Sequence, residues 1–340
     1  LLHGFHHVDY SAVSKEAASK HLTKGKEILN SFFSGQDHGF RAPYLRYSEE
    51  IRDLLIKDNF LFDSSRTIFV SNESVKIGPH DRAILQRLYS PEPFEKKLSL
   101  PFDDAGLLEI PVTLPDDEIL IDRLKIRDKN KIFQIFQNIS DKIFADQEAY
   151  IMQLHPERIP FLYDPLREFL AGLARRNIWI TDLLNLARWQ KKTMPVFYRI
   201  DENKQEIRYN HLSGRKVLGR NLSFEVQDDM IRFQSELLPV IFAGSGNDPK
   251  LYQSLERDGF FVTGSEDLKN KCSHIISGES SFDAMRYRKL RKALMLTGRP
   301  LLFCSRWPEG KNGVFCLSGD IDALTIGDFF SRFKHFSGDK

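Results

Sequence analysis

With 340 residues, 41% hydrophobic and 28% charged, the chain has the composition of a globular protein large enough for one sizeable domain and a smaller one. Its 49 Lys and Arg against 47 Asp and Glu leave a formal charge of +2, which excludes electrostatic capture of nucleic acid or of an anionic membrane as the basis of function. No apolar run approaches the ~20 residues that cross a bilayer, and Cys272, Cys304 and Cys316 form no CxxC pair, so neither a membrane span, a zinc ribbon nor a disulfide framework is expected.

The chain opens with Leu1-Leu-His-Gly-Phe-His-His7, which reads as the end of a buried strand running into a site. With Leu in place of Met at the first position, further residues are expected upstream, and the compartment stays open between cytoplasm and cell envelope. From Ser14 to Phe33 the apolar positions Ala18, Leu22, Leu29 and Phe32 predict an amphipathic helix. A short segment through Phe40 leads to Pro43, a second helix over 48–57 buries Ile51, Leu54 and Leu55, and 60–63 reads as a strand. An irregular, Pro-rich stretch is expected between Gly78 and Pro115. Then come a helix over 129–144, a strand over 149–154, a helix over 165–175, a strand over 177–180 and a helix capped by Thr181 or Asp182 that runs to Trp189. Strands alternating with amphipathic helices imply a parallel sheet, closed or nearly closed into a barrel, with sites at the C-terminal ends of strands. After Lys192 short strands joined by polar turns predict a β-rich region, followed by a β-α-β pattern through 239–263, a helix over 282–296 and strands over 301–304 and 313–318.

Histidines at positions 3 and 7 have a spacing that can present two imidazoles to one metal ion. Alone the pair is a weak signal, but three further segments succeed it in order along the chain: Phe40-Arg-Ala-Pro-Tyr44, Phe62-Asp-Ser-Ser65 and Met152-Gln-Leu-His-Pro156. His3-Gly-Phe-His-His7 followed by Val-Asp resembles the second motif of the polysaccharide deacetylases, carbohydrate esterase family four. Arg41-Ala-Pro-Tyr44 resembles their third motif, Leu154-His155-Pro156 their fifth, and Phe62-Asp-Ser-Ser65 the segment that comes after the third. The match runs over residues 1 to about 190.

The resemblance implies a deformed, incomplete α/β barrel of the (β/α) deacetylase type over 1–192, with a smaller β-rich and then α/β accessory region over 193–300. It implies a Zn2+ or other divalent ion held by His3 and His7, a metal-bound water as nucleophile, and a carbohydrate substrate that loses an acetyl group. Tyr44 would offer its backbone N–H to the oxyanion, Arg41 would orient a carboxylate base, and His155 would protonate the leaving group. Each residue has a structural reading beside this one: Arg41 as an ion-pair partner, Tyr44 as packing for Pro43, His155 as a strand-end histidine bonded to backbone. Asp116 and Asp117 stand where the family's fourth motif is expected, without its tryptophan-containing pattern.

The family's first motif, an Asp pair supplying the general base and a third metal ligand, should precede His3, where this sequence has two leucines. A match occurs at the other end. Val314-Phe-Cys-Leu-Ser-Gly-Asp-Ile-Asp322 is an apolar strand ending in two carboxylates, preceded by Arg306-Trp-Pro. Residues 301–340 therefore read either as the start of a second deacetylase-like unit or as a permuted first motif, with Asp320 as base and Asp322 as third ligand. The chain is expected to be truncated at both ends. Two other functions stay open: a catalytically silent carbohydrate-binding or structural module, and a metal amidohydrolase acting on a non-sugar amide. The oligomeric state is left undecided.

Overall fold

The computed structural model describes residues 1–33, 37–71, 77–193, 197–212 and 214–319. In chain order its elements are α1 (Lys15–Phe32), β1 (Gly39–Phe40), α2 (Glu49–Lys57), β2 (Phe62–Asp63), β3 (Thr67–Phe69), α3 (Pro79–Tyr89), β4 (Glu92–Pro93), β5 (Phe102–Asp104), β6 (Leu107–Glu109), β7 (Val112–Leu114), α4 (Lys129–Phe144), β8 (Ala149–Leu154), α5 (Ile159–Ala174), β9 (Trp179–Thr181) and α6 (Leu183–Thr193). They continue with β10 (Tyr198–Asp201), β11 (Glu206–Tyr209), β12 (Val217–Arg220), β13 (Ser223–Gln227), β14 (Met230–Gln234), β15 (Leu238–Ala243), α7 (Pro249–Arg257), β16 (Val262–Thr263), β17 (Cys272–Ile276), α8 (Ala284–Met295), β18 (Leu301–Cys304) and β19 (Val314–Gly319).

The chain divides into two compact units. Among the described residues the first takes in those of Leu1–Phe94 and Leu98–Ala187 together with 313–319; the second takes in Glu95–Lys97 and those of Arg188–Asn312. In the first unit three sheets have the orders β1-β2-β6-β5, β4-β3-β7 and β8-β19-β9. Every pairing in them is parallel except the β5–β6 hairpin. Leu2 extends the first sheet through a parallel bridge to Phe40, which fixes the segment just before His3. Among the described residues none of these sheets closes into a barrel.

The principal core of this unit lies where α4 and α5 cover β8. Asp128 caps α4 by accepting from the backbone N–H groups of Asn130 and Lys131, and the stripe Ile132, Ile135, Phe136, Ile139 and Ile143 is buried. All six residues of β8 are buried, as expected of a strand with neighbours on both faces. A second cluster joins Leu2, Phe40 and Ala42 to Ala18 and Leu22 of α1 and to Ile51, Leu54 and Leu55 of α2.

Two departures from the sequence expectation have physical causes. The stretch 78–115 is not irregular but holds α3 and four short strands, β4 to β7. The helix expected from Pro165 begins at Ile159 and carries Pro165 inside it. A proline costs an interior helix about 3 kcal/mol. Burial of Leu162, Leu166, Phe169 and Leu173 in the principal core offsets it.

The second unit combines an antiparallel sheet β10-β11-β14-β13, a β12–β18 pair and a parallel sheet β16-β15-β17. Its core is built from Ile207, Ile231, Phe233, Val240, Phe242, Phe261 and Leu302. Gly244-Ser-Gly246 forms a turn in which the Asn247 side-chain N–H2 donates to the Gly244 and Ile276 carbonyls, at 3.1 and 2.9 Å.

Candidate functional site

The residues singled out by the sequence gather in the first unit at the C-terminal ends of parallel strands. His3 follows the Leu2 bridge, Arg41 follows β1, Asp63 closes β2 and His155 follows β8; Glu109, at the end of β6, joins them. Strand ends are where side chains leave the hydrogen-bonded sheet and can converge on a ligand.

The His3 ring is held by Nδ1, which donates to the Arg41 carbonyl at 2.8 Å. That bond selects the tautomer in which Nε2 carries the lone pair, the form a metal-ligating histidine takes. The His7 ring lies 5.1 Å from that of His3, centroid to centroid, and the Tyr44 ring meets His7 edge-on at 4.5 Å. Tyr44 is 53% exposed and left-handed, with φ 59° and ψ 13°, and Leu45 after it has φ 54°. Two consecutive non-glycine residues in that region carry backbone strain of order 1–2 kcal/mol each.

The turn that bears this strain is tied down by neighbours. The buried Arg41 guanidinium donates from Nε to the Ser64 carbonyl at 3.0 Å, from one terminal nitrogen to Ser64 Oγ at 2.9 Å, and from the other to Ser318 Oγ at 2.8 Å. The Ala42 N–H donates to Ser65 Oγ at 2.8 Å.

Beyond β7, Asp117 forms a dyad with His155. Its Oδ1 lies 2.6 Å from His155 Nδ1, its Oδ2 accepts from the His155 backbone N–H at 2.8 Å, and its Oδ1 also accepts from the Glu118 N–H at 3.0 Å. Asp117 and His155 are 0% and 2% exposed, so the carboxylate fixes both the backbone and the ring of one histidine in a dry setting. With Nδ1 engaged by an acid, proton transfer by this ring would run through Nε2, and the carboxylate stabilises the imidazolium form.

Asp116 is buried beside them, accepts from the Ile119 N–H at 3.0 Å, and is pushed up to about 7 by burial and then by the Asp117 charge. The ligand-capable atoms of Asp116, Asp117 and His155 lie within 4.8 Å of one another, a set that could hold a cation. Ligand atoms on a shared ion with bonds near 2.0–2.1 Å stand about 3 Å apart or more. The 2.6 Å Nδ1···Oδ1 contact is instead that of a strong hydrogen bond.

A run of hydrogen bonds leads from one group toward the other. Arg41, whose carbonyl holds His3, donates to Ser318 Oγ, and that hydroxyl donates at 3.2 Å to the carbonyl of Met152 on β8, three residues before His155. Ser318 lies on β19, which runs parallel to β8 with Gly319 opposite Leu154. Asp320 and Asp322 lie outside the described residues.

Asp117 is the residue the sequence marks least. It stands where the fourth motif is expected, but the tryptophan-containing pattern is missing, and an Asp-Asp pair after a proline has an ordinary reading as a helix start. Only the pairing with His155, 38 residues on, distinguishes it. No known protein family, curated protein or solved structure matches the chain. No helix among the described residues is long and apolar enough to cross a membrane.

Proposed function

We propose that the chain is a metal-dependent hydrolase of the polysaccharide deacetylase type, on a deformed and incomplete (β/α) barrel, that removes an acetyl group from a carbohydrate. The observation that carries this reading is the buried Asp117–His155 dyad, whose geometry suits a general acid, in the same unit as two histidines at ligand spacing.

His3 and His7 fit a divalent ion such as Zn2+, because His3 already has its Nδ1 on a carbonyl in the manner of a ligating histidine. When bound, the ion would act as a Lewis acid on water and on the acyl carbonyl. The chain's own part is to hold the reacting groups. His155 gives a proton from Nε2 to the departing amine or alkoxide, and Asp117 stabilises the charged ring before that step. The Tyr44 N–H, carried on a turn fixed by Arg41 and Ser65, is the donor for the developing oxyanion. Arg41 is the orienting cation, and Asp320 and Asp322 complete the proposal as base and third ligand.

Metal content and acetate release from N-acetylated chitooligosaccharides test the reading, with His3→Ala and His155→Ala as variants. The first should lose metal, and the second should keep it but lose turnover by about 10²–10⁴-fold. A protein that binds no divalent ion and whose His3→Ala variant is fully active would sink it. Sugar binding without turnover would instead identify a silent binding module, and release from non-sugar amides alone a different amidohydrolase.

A further inference from the structure

Asp63 and Glu109 stand directly opposite one another in the register of the parallel pair β2–β6, and each is 1% exposed. Two carboxyl groups side by side away from water cannot both be ionised. Burial raises both above the ordinary carboxylate range, and the charge of Asp63 raises Glu109 further.

The partners decide where the proton sits. Asp63 Oδ1 accepts from the Ser64 N–H at 2.8 Å and from Ser65 Oγ at 2.6 Å, and the Arg41 guanidinium favours its charge. Glu109 Oε1 accepts from the Arg66 N–H at 3.0 Å, with the Arg66 charge facing it. Of the other elements packed on β6, β5 places Phe102 opposite Glu109, and α2 presents its buried apolar face of Ile51, Leu54 and Leu55. The two bonds to Asp63 Oδ1 and the Arg41 charge favour Asp63 as the anion of the pair and Glu109 as the proton carrier.

What rests on the pair is the turn around the histidines. Ser65 Oγ, donating to Asp63, accepts the Ala42 N–H. Ser64, whose N–H donates to Asp63, supplies two acceptors to Arg41 and donates its hydroxyl to the Ile110 carbonyl at 2.8 Å. Arg41 in turn holds His3 through its carbonyl.

We infer that Asp63 and Glu109 are a proton-sharing pair of positioning residues that fixes the 41–45 turn, and with it His3 and the Tyr44 N–H. The inference about catalysis rests on the function proposed above; the inference about the turn does not. Loss of the shared proton puts two charges together and releases the Ser64–Ser65 support.

The raised acid sets the direction of the pH effect. Its stabilisation is fully present below the unfolded pKa of about 4.3 and is lost as pH rises through the higher folded value. Glu109→Gln, which donates the same hydrogen bond at every pH, is the informative variant.

On the full chain the thermal midpoint is followed from pH 5 to 9, alongside kcat/KM for acetate release. The wild type should lose midpoint and about tenfold in kcat/KM on the alkaline side. Glu109→Gln should match its activity near neutrality within about twofold and show a smaller loss on the alkaline side. Parallel pH curves for the two proteins overturn the inference. Should Glu109→Gln not fold, 13C titration of the wild type labelled in its glutamate carboxyls and assigned at Glu109 decides: a Glu109 carboxyl titrating well above the ordinary range supports the pair, and one within that range overturns it. A midpoint difference that grows on the alkaline side, with no metal binding and no acetate release, keeps the pair as the support of the turn and rejects the hydrolase reading.

Discussion

Replacing Asp117 with Asn probes the dyad with the smallest change of shape. Asp117 uses both oxygens as acceptors, one toward His155 Nδ1 and the Glu118 N–H, the other toward the His155 N–H. An amide offers one acceptor and one donor, so either flip sets its N–H2 against a backbone N–H. A buried donor left unmet costs about 1–3 kcal/mol, and the charge-assisted bond is worth about 1.5–3 kcal/mol. The sum points to a destabilisation on the order of 3 kcal/mol. At about 2–4 °C per kcal/mol for a unit of this size, that lowers the midpoint by roughly 6–12 °C. If the amide N–H2 faces Nδ1, the ring must keep its proton on Nε2 without a carboxylate to stabilise the imidazolium, and turnover should fall by about 10²–10⁴-fold. Calorimetry and acetate release at saturating metal measure the two effects. The cycle Asp117→Asn, His155→Ala and their combination measures the coupling, and activity losses that simply multiply would refute a dyad acting as one unit.

Asp116→Asn should flatten the dependence of stability on pH. The wild-type carboxyl, raised to about 7 chiefly by burial, favours the folded state below the unfolded pKa and loses that contribution as pH climbs through 7, on the order of a few kcal/mol; denaturant midpoints at pH 5 and 8 should converge in the variant. Ile139→Ala empties a fully buried position under β8 and should cost about 2–5 kcal/mol in urea unfolding. Gly259 has φ +90°, and a Cβ there would sit 2.1 Å from the Cys304 carbonyl oxygen, so Gly259→Ala should destabilise the second unit by about 3 kcal/mol or more, read as early loss of its calorimetric transition.

Where an element has enough length for its period to show, the sequence and the structure agree closely. The helix 129–144, the strand 149–154 and the strand 301–304 have the same bounds in both. Strands of two or three residues such as β2, β3 and β7 have no period to read. α3 buries Leu85 alone among its described residues, too little for an apolar stripe. At the site, His3, His7, Arg41, Tyr44 and His155 stand out through motif order. Asp117 does not, because a carboxylate that serves a histidine 38 residues away leaves no local trace. The neighbours of β19 are equally silent in the sequence, since parallel strands carry no mark of which distant strand they adjoin.

The placement of β19 between β8 and β9 governs when the first unit can form. Ser318 and Met152, joined by a hydrogen bond, are 166 residues apart, with most of the second unit encoded between them. Closing a flexible loop of that length costs on the order of 4 kcal/mol in chain entropy before any contact is made. Prior folding of the second unit would shorten the effective loop. During synthesis at ~5–20 residues per second, β8 waits at least several seconds for its central partner, its apolar edge open to wrong pairings. Because Arg41 reaches Ser318 on that same strand, the turn that holds His3 acquires its full set of partners only when this late strand docks.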